Sequence, residues 1–238
     1  MTSTFPTAQY VPMGRIGGFS TVFIDFDGTI ANRDVTDVLL SNFAASKWQE
    51  LENAWLDGSI GARECMAQQI AMMKVTPEDL NACLDSMKID EAFADFIALL
   101  ERAQSRVAIV SDGLDYGIKH ILKRYGLGRV TVFANRLVYQ GGMDWQLQFP
   151  YKNNACPAGH CKCRRFDGNA LGSTLYIGDG TSDFCPAQKA DLVLAKAKLA
   201  DFCAANQINH IEVSNFTEIM KIWPELEYQS PVFEKVAS

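Results

Sequence analysis

The chain has no long hydrophobic run, a shortage of basic charge and almost no histidine. No segment approaches the roughly 18 continuous apolar residues of a membrane span, so no membrane partner is expected. Lysine and arginine number 22 against 28 aspartates and glutamates, giving a net charge of −6 with only 3 histidines. Such a balance excludes sequence-independent nucleic-acid binding, which needs a basic surface. The first residues, "MTSTFPTAQYVPMGRIGGFS", lack a charged segment followed by an apolar one. They are read as a flexible N-terminal arm over 1–18, not as a secretory signal. An even cysteine framework is missing too: the 7 cysteines are dispersed, which points to reduced thiols and a cytoplasmic location. Internal repeats and low-complexity runs are absent.

What is present is 238 residues, 48% of them hydrophobic, enough for one large domain or for a core with a smaller companion. The stretch "FIDFDGTI" carries the first chemical signal. A buried strand over 20–25 runs directly into two carboxylates. Side chains at i and i+2 of a strand face the same way, so Asp25 and Asp27 share one site while Phe26 faces away. Gly28 permits a sharp change of direction and Thr29 adds a hydroxyl. Two ionised carboxylates held this close repel unless a cation lies between them, and oxygen ligands suit a hard divalent metal.

From Asn32 to Leu100 the pattern is helical. "TDVLLSNFAASKWQELENAWLDG" predicts a helical run stopping at Gly58, and "SIGARECMAQQIAMMK" a second helix from Ser59. "TPEDLNACLDSM" predicts a third with Thr76 as N-cap, Pro77 first and Asp79 closing a capping box. "DEAFADFIALLERAQS" predicts a fourth. "RVAIVSDG" is then a second buried strand, followed by a helix ending at Gly126. A hairpin turns at Gly141-Gly142. "CKCRRFDGNA" is expected to open a helix, and "STLYIGDGTSD" is a strand with a polar end. "DLVLAK" and "HIEVSN" complete the set. Strands alternating with helices predict an α/β fold, a Rossmann-like parallel sheet flanked by helices, with its site at the carboxyl ends of the strands. Three strand ends carry D-F-D-G-T, S-D-G and G-D-G-T-S-D.

With Asp25-Phe-Asp-Gly-Thr29, Ser111-Asp-Gly113, a downstream lysine and Gly178-Asp-Gly-Thr-Ser-Asp183, the chain resembles the haloacid-dehalogenase superfamily of phosphohydrolases over residues 20 to 222. Helices inserted after the first motif are similar to those of its phosphoserine-phosphatase-like branch. The resemblance implies a core over 19–32 and 101–238 and a small helical cap over 33–100. It also implies a Mg²⁺-dependent phosphatase that acts through an aspartyl-phosphate on a small phosphorylated metabolite. Asp25 is then the nucleophile and Asp27 the acid/base. The metal is held by Asp25, the Asp27 carbonyl and Asp179, with Asp183 completing or orienting that shell. Ser111, the backbone N–H groups of Asp112 and Gly113, and a lysine hold the phosphate, with Thr29 beside them. Lys152 and Lys162 compete for the lysine role; Lys162 is favoured because it lies just before the expected helix and one strand upstream of Asp179.

"CPAGHCKC" offers zinc-type ligands in Cys156, His160, Cys161 and Cys163, but its spacing matches no common pair and no second pair follows. It is read as a loop of reduced thiols around the lysine. The Cys-Lys segment resembles phosphatases of methionine salvage that act on 2-hydroxy-3-keto-5-methylthiopentenyl-1-phosphate and, more distantly, phosphoethanolamine/phosphocholine phosphatases. Asp112 departs from that pattern, where glycine stands. Phosphoserine phosphatase, a phosphotransferase of the same chemistry, and a non-catalytic phosphate-binding module are the alternatives; a dehalogenase is disfavoured by Asp27. Monomer and homodimer stay open. His120 and His210 are read as ordinary helix and strand-edge residues, Met72, Met73, Trp48 and Trp55 as cap packing. Arg63 and Trp55 are read as a surface charge and a core aromatic, or else as contacts to the substrate's leaving group.

Overall fold

The computed structural model describes residues 18–167 and 172–229. Seven strands form one sheet: β1 (Thr21–Ile24), β2 (Arg106–Leu114), β3 (Thr131–Gly141), β4 (Asp144–Gln148), β5 (Thr174–Gly178), β6 (Leu192–Ala195) and β7 (His210–Glu212). Their order is β4-β3-β2-β1-β5-β6-β7, parallel except for the β3–β4 hairpin. The α/β expectation therefore holds, with β1 at the centre.

Apolar side chains on the inner strands alternate between two cores. Val22, Ile24, Ile109, Leu175, Ile177 and Leu194 enter one cluster, while Phe23, Ala108, Val110, Tyr176 and Val193 enter the other. Both faces of the sheet are covered, which is why these strands read as unbroken apolar runs and not as alternating ones. The larger cluster takes in helices α1 (Val35–Phe43), α4 (Pro77–Asp85), α5 (Phe93–Arg102), α6 (Asp115–Arg124) and α9 (Phe216–Gln229). The smaller lies under α7 (Phe184–Ala187) and α8 (Ala197–Ala205).

The helical segment departs from its sequence reading at two points. The run expected to reach Gly58 breaks at Ala44, whose extended backbone (φ −97°, ψ 150°) forms a bridge with Met73, and α2 (Trp48–Leu56) starts afresh. Helix α3 begins at Ala62 and ends at Ala71, not from Ser59. Asp57 is the reason: its carboxylate accepts from both Ser59 N, at 2.9 Å, and Ser59 Oγ, and this local turn competes with helix. Thr76 caps α4 as expected, accepting from Asp79 N at 3.1 Å with Pro77 in the first turn. Helix α5 packs against strand β2 and helix α9: Phe93 and Phe96 meet Phe216 of α9 at 4.9 and 5.3 Å between ring centres. The hairpin turns at Gly141-Gly142 and reaches the helical segment, where buried Trp145 donates to the Val75 carbonyl at 2.9 Å. "CKCRRFDGNA" makes a single 3-10 turn over Lys162–Arg165; residues 168–171 lie outside the described residues. Among the described residues no helix is long and apolar enough to cross a membrane.

Candidate active site

Register brings the motifs together. Ile24 pairs with Ile109 on one side and with Ile177 on the other. Asp25 follows Ile24 directly, and its N–H continues the ladder to the Ile177 carbonyl at 2.8 Å. Ser111 and Asp179 each lie two residues past those partners, so three chain segments present polar tips at one sheet edge. Two glycines allow the close approach. A Cβ on Gly28, whose φ is +75°, would collide with the Asp179 carboxylate. A Cβ on Gly113 would lie 2.5 Å from Asp27 Oδ2.

At the base sits a buried ion cluster. Lys162 Nζ is 2.7 Å from Asp25 Oδ1 and 2.7 Å from Asp183 Oδ1, and donates to Ser182 Oγ at 2.9 Å. Burial works against its charge, but Asp183 and Asp25 more than offset this and hold its pKa above the usual lysine value. Burial, then repulsion from Asp183, pushes Asp25 well above the usual carboxylate range, with Lys162 opposing. Asp27 is pushed up to about 8, first by burial and then by Asp34, although Val35 N–H donates to its Oδ1 at 2.8 Å. Asp179 is raised by burial against the pull of the Thr29 hydroxyl, which donates to it at 2.7 Å. Exposed Lys152 does not line the cavity.

Ligand atoms of Asp25, Asp179 and Asp183 lie within 4.8 Å of one another. Three hard carboxylates fit a divalent metal of the Mg²⁺ type: Asp25 and Asp179 are raised in pKa, and one ammonium, Lys162, serves Asp25 and Asp183. Asp183, however, is fully occupied. Oδ1 takes Lys162 and the Tyr176 hydroxyl at 2.7 and 2.5 Å, and Oδ2 takes the N–H groups of Asp179 and Gly180 at 3.0 Å each. Its position suits orienting the cluster.

Other expected site residues have partners within the protein. Gly113 N–H is spent on Ser111 Oγ at 2.9 Å, and the Thr29 hydroxyl on Asp179. Ser111 Oγ in turn donates to Asp27 Oδ2 at 3.5 Å. The Asp112 carboxylate turns to His160 N (2.8 Å) and Asn135 Nδ2 (3.0 Å). His160 donates from Nδ1 to the Ser111 carbonyl at 3.0 Å, and burial pushes its pKa down to about 4, so it stays neutral. These bonds fix the loop that carries Lys162. Arg63 is not a free surface charge: it donates to the carbonyls of Cys156 and Ala158 at 2.7 and 3.0 Å, tying α3 to that loop.

Tyr176, Asn135 and Lys196 escaped the sequence reading. Lys196 donates to the Gly28 and Thr29 carbonyls at 2.9 and 3.1 Å, holding the first motif's turn. It follows β6, so the strand-end rule that found Asp25 could have found it. Tyr176 gave no signal within its buried strand.

Above the cluster lies a cavity of about 290 Å³. Asp25, Asp27, Ser111, Lys162 and Asp179 line its floor; Asp34, Asp37, Glu52, Trp55, Met66 and Gln69 line its helical side. Trp55, 40% exposed, faces this space and is not simply packing. Asp37 is pushed up to about 6 by desolvation, then by Asp34 and Glu52.

The family model of haloacid dehalogenase-like hydrolases matches residues 22–188. A 2-hydroxy-3-keto-5-methylthiopentenyl-1-phosphate phosphatase of Brevibacillus brevis is 27% identical over 222 residues, covering 87% of this chain and 96% of that protein. Its namesake from Exiguobacterium sp. is 25% identical over 205 residues, covering 83% and 94%. A substrate-bound phosphoserine phosphatase structure aligns with a TM-score of 0.62 at 23% identity, covering 85% of this chain and 97% of that one, a likeness of fold. With a single family model spanning the first strand, the helical segment and the fourth motif, the chain belongs to the haloacid dehalogenase-like hydrolases.

Proposed function

We propose that this hydrolase is a Mg²⁺-dependent phosphatase of small phosphate monoesters, working through a phosphorylated Asp25. One observation carries the reading: Asp25 and Asp27 share the cavity floor, one held by Lys162 at 2.7 Å, the other shifted to about 8. When bound by Asp25, the Asp27 carbonyl and Asp179, the metal would offset the negative charge of phosphate and carboxylate. The Asp25 carboxylate forms a bond to phosphorus as the bond from phosphorus to the leaving oxygen breaks. Asp27, still carrying its proton at neutral pH, gives that proton to the leaving oxygen. It then takes one from the water that opens the Asp25–phosphorus bond. Lys162, the Ser111 hydroxyl and the Asp112 N–H hold the phosphoryl oxygens, Gly113 N–H joining only if Ser111 Oγ releases it. Within the expected 33–100 cap, we assign α1–α3 to covering the cavity and α5 to supporting the sheet.

Turnover of p-nitrophenyl phosphate should require added Mg²⁺ and vanish with EDTA. Metal-independent turnover, or none on any phosphate ester, would refute the reading.

The leaving-group side favours a second, narrower statement. Among the described residues lining the cavity, Lys162 is the only lysine, arginine or histidine, and it is engaged below. Asp34, Asp37 and Glu52 face the opening beside Trp55. A leaving group bearing a carboxylate, as in phosphoserine, meets like charge there, whereas an amino alcohol meets opposite charge and an aromatic face. An amino-alcohol phosphate should exceed phosphoserine in kcat/KM by about 10-fold or more. Since Asp37 ionises above about 6, the preference should grow as pH rises through that value. Asp37→Asn should shrink it. Equal rates on both substrates at pH 7 would leave the methylthio ketose phosphate of the relatives as the better candidate.

A further inference from the structure

Outside the aspartate cluster, thiols gather around the loop that carries Lys162. The sequence places Cys156, Cys161 and Cys163 on that one loop. The fold adds a fourth thiol, Cys185, from α7. Cys161 Sγ and Cys163 Sγ are 3.2 Å apart. Helix α7, which carries Cys185, packs against the 3-10 turn that carries Cys163, and these two thiols respond to each other. Asn153 joins the other two: its carbonyl accepts from Cys156 N at 3.0 Å and its Nδ2 donates to Cys161 Sγ at 3.7 Å. Cys156 also feels the charge of Cys185, which makes a loose ring of the four thiols. The sequence reading stopped at an uncommon spacing with no second pair; the further thiol comes from 22 residues beyond Cys163, brought there by the turn of the fourth motif.

Two independent features fit a thiolate–metal centre. The first is charge. Lys189 lies near enough to Cys163 and Cys185, and Arg165 near enough to Cys161, for each to respond to thiolate charge. Cations at that distance offset the net negative charge of a four-thiolate zinc site. The second is the loop itself. Between β4 and β5 the described chain has only one 3-10 turn, yet this loop must hold Lys162 against Asp25 and Asp183. A long irregular segment with an exacting job is where a cross-link has most effect.

We propose that Cys156, Cys161, Cys163 and Cys185 bind one zinc ion, stapling the Lys162 loop to the turn that carries Asp179 and Asp183. Zinc–sulfur bonds of about 2.3 Å place tetrahedral sulfurs about 3.8 Å apart. The Cys161–Cys163 pair, at 3.2 Å, is already closer than that edge. The ring as a whole is wider: among the described residues only the aspartate set has three ligand atoms mutually within 4.8 Å. Exposed Cys185 and half-buried Cys156 are the two that would turn inward, while Cys161 and Cys163 stay seated in the core. The proposal is separate from the phosphatase reading and stands or falls without it.

The test is elemental analysis of untagged, zinc-replete protein. About one zinc per chain is expected, falling below about a tenth in Cys185→Ser, with Cys83→Ser as an unaffected control. Cobalt loading of the zinc-free wild-type chain needs no variant. It should give tetrahedral visible bands and a sulfur-to-metal charge-transfer band. No zinc after reconstitution, zinc retained in full by both Cys185→Ser and Cys156→Ser, or a mass lower by the two hydrogens of a disulfide among these cysteines would overturn the proposal.

Discussion

Asp25→Asn is expected to abolish phosphatase turnover, by about 10⁴-fold or more, while the chain folds normally. The amide is nearly isosteric and cannot attack phosphorus. Folding should survive because the substitution relieves a strained position. Asp25 is buried, and repulsion from Asp183 is the larger charge effect on it after desolvation. Lys162 keeps its second partner, Asp183 at 2.7 Å, when the Asp25 charge is removed. Steady-state rates with p-nitrophenyl phosphate check the loss, and thermal unfolding checks the fold. Acid quenching with labelled substrate supplies a direct readout: label should stay on the wild-type protein at Asp25 and be absent from the variant. Residual turnover within 100-fold of wild type, at about normal stability, would remove Asp25 from the nucleophile's role.

Lys162→Ala should damage both activity and stability. The ammonium is almost wholly buried, 2% exposed, between the Asp25 and Asp183 carboxylates, 7% and 0% exposed. Removing one member of a buried ion cluster leaves uncompensated charge, typically at about 3–5 kcal/mol. The pH dependence has a definite sign. Without Lys162, the Asp25 pKa, already raised by burial and Asp183, rises further. A carboxyl whose folded pKa is raised contributes most at low pH and loses that contribution as pH climbs through its folded value. The variant's deficit in urea unfolding should therefore widen from pH 5 to pH 8. For wild type Lys162 stays charged across that window, because its pKa is raised and deprotonation lies well above it. Lys152→Ala, at an exposed position away from the cavity, should leave both properties near wild type. If Lys152→Ala is the variant that loses turnover, the lysine assignment is reversed.

The parallel strands and most helices were legible because their signals are local. Unbroken apolar runs such as "TVFI" and "TLYIG" announce strands buried on both faces, and Thr76-Pro77 announces a helix start. The breaks at Ala44 and Ser59 were not legible. One rests on a bridge to Met73, distant in sequence, and the other on a side chain outcompeting the helix for backbone N–H groups. Arg63 was misread for a related reason. An arginine on a helix looks like a surface charge until a loop 90 to 95 residues away offers its carbonyls.

The sequence alone determined that acidic tips end three central strands, since hydrophobic periodicity marks where each strand stops and the adjoining residues are then read directly. Parallel pairing in register does the rest with no further information. Only the tertiary structure decided how those tips are held. Lys162 reaches Asp25, Asp183 spends both oxygens internally, Lys196 secures the turn at Gly28, and Cys185 joins the loop thiols. Each of these depends on a long polar or sulfur-bearing side chain whose direction is set by partners far along the chain. No local period encodes such a meeting, because burial of charge is tolerated only where the fold happens to supply the opposite charge.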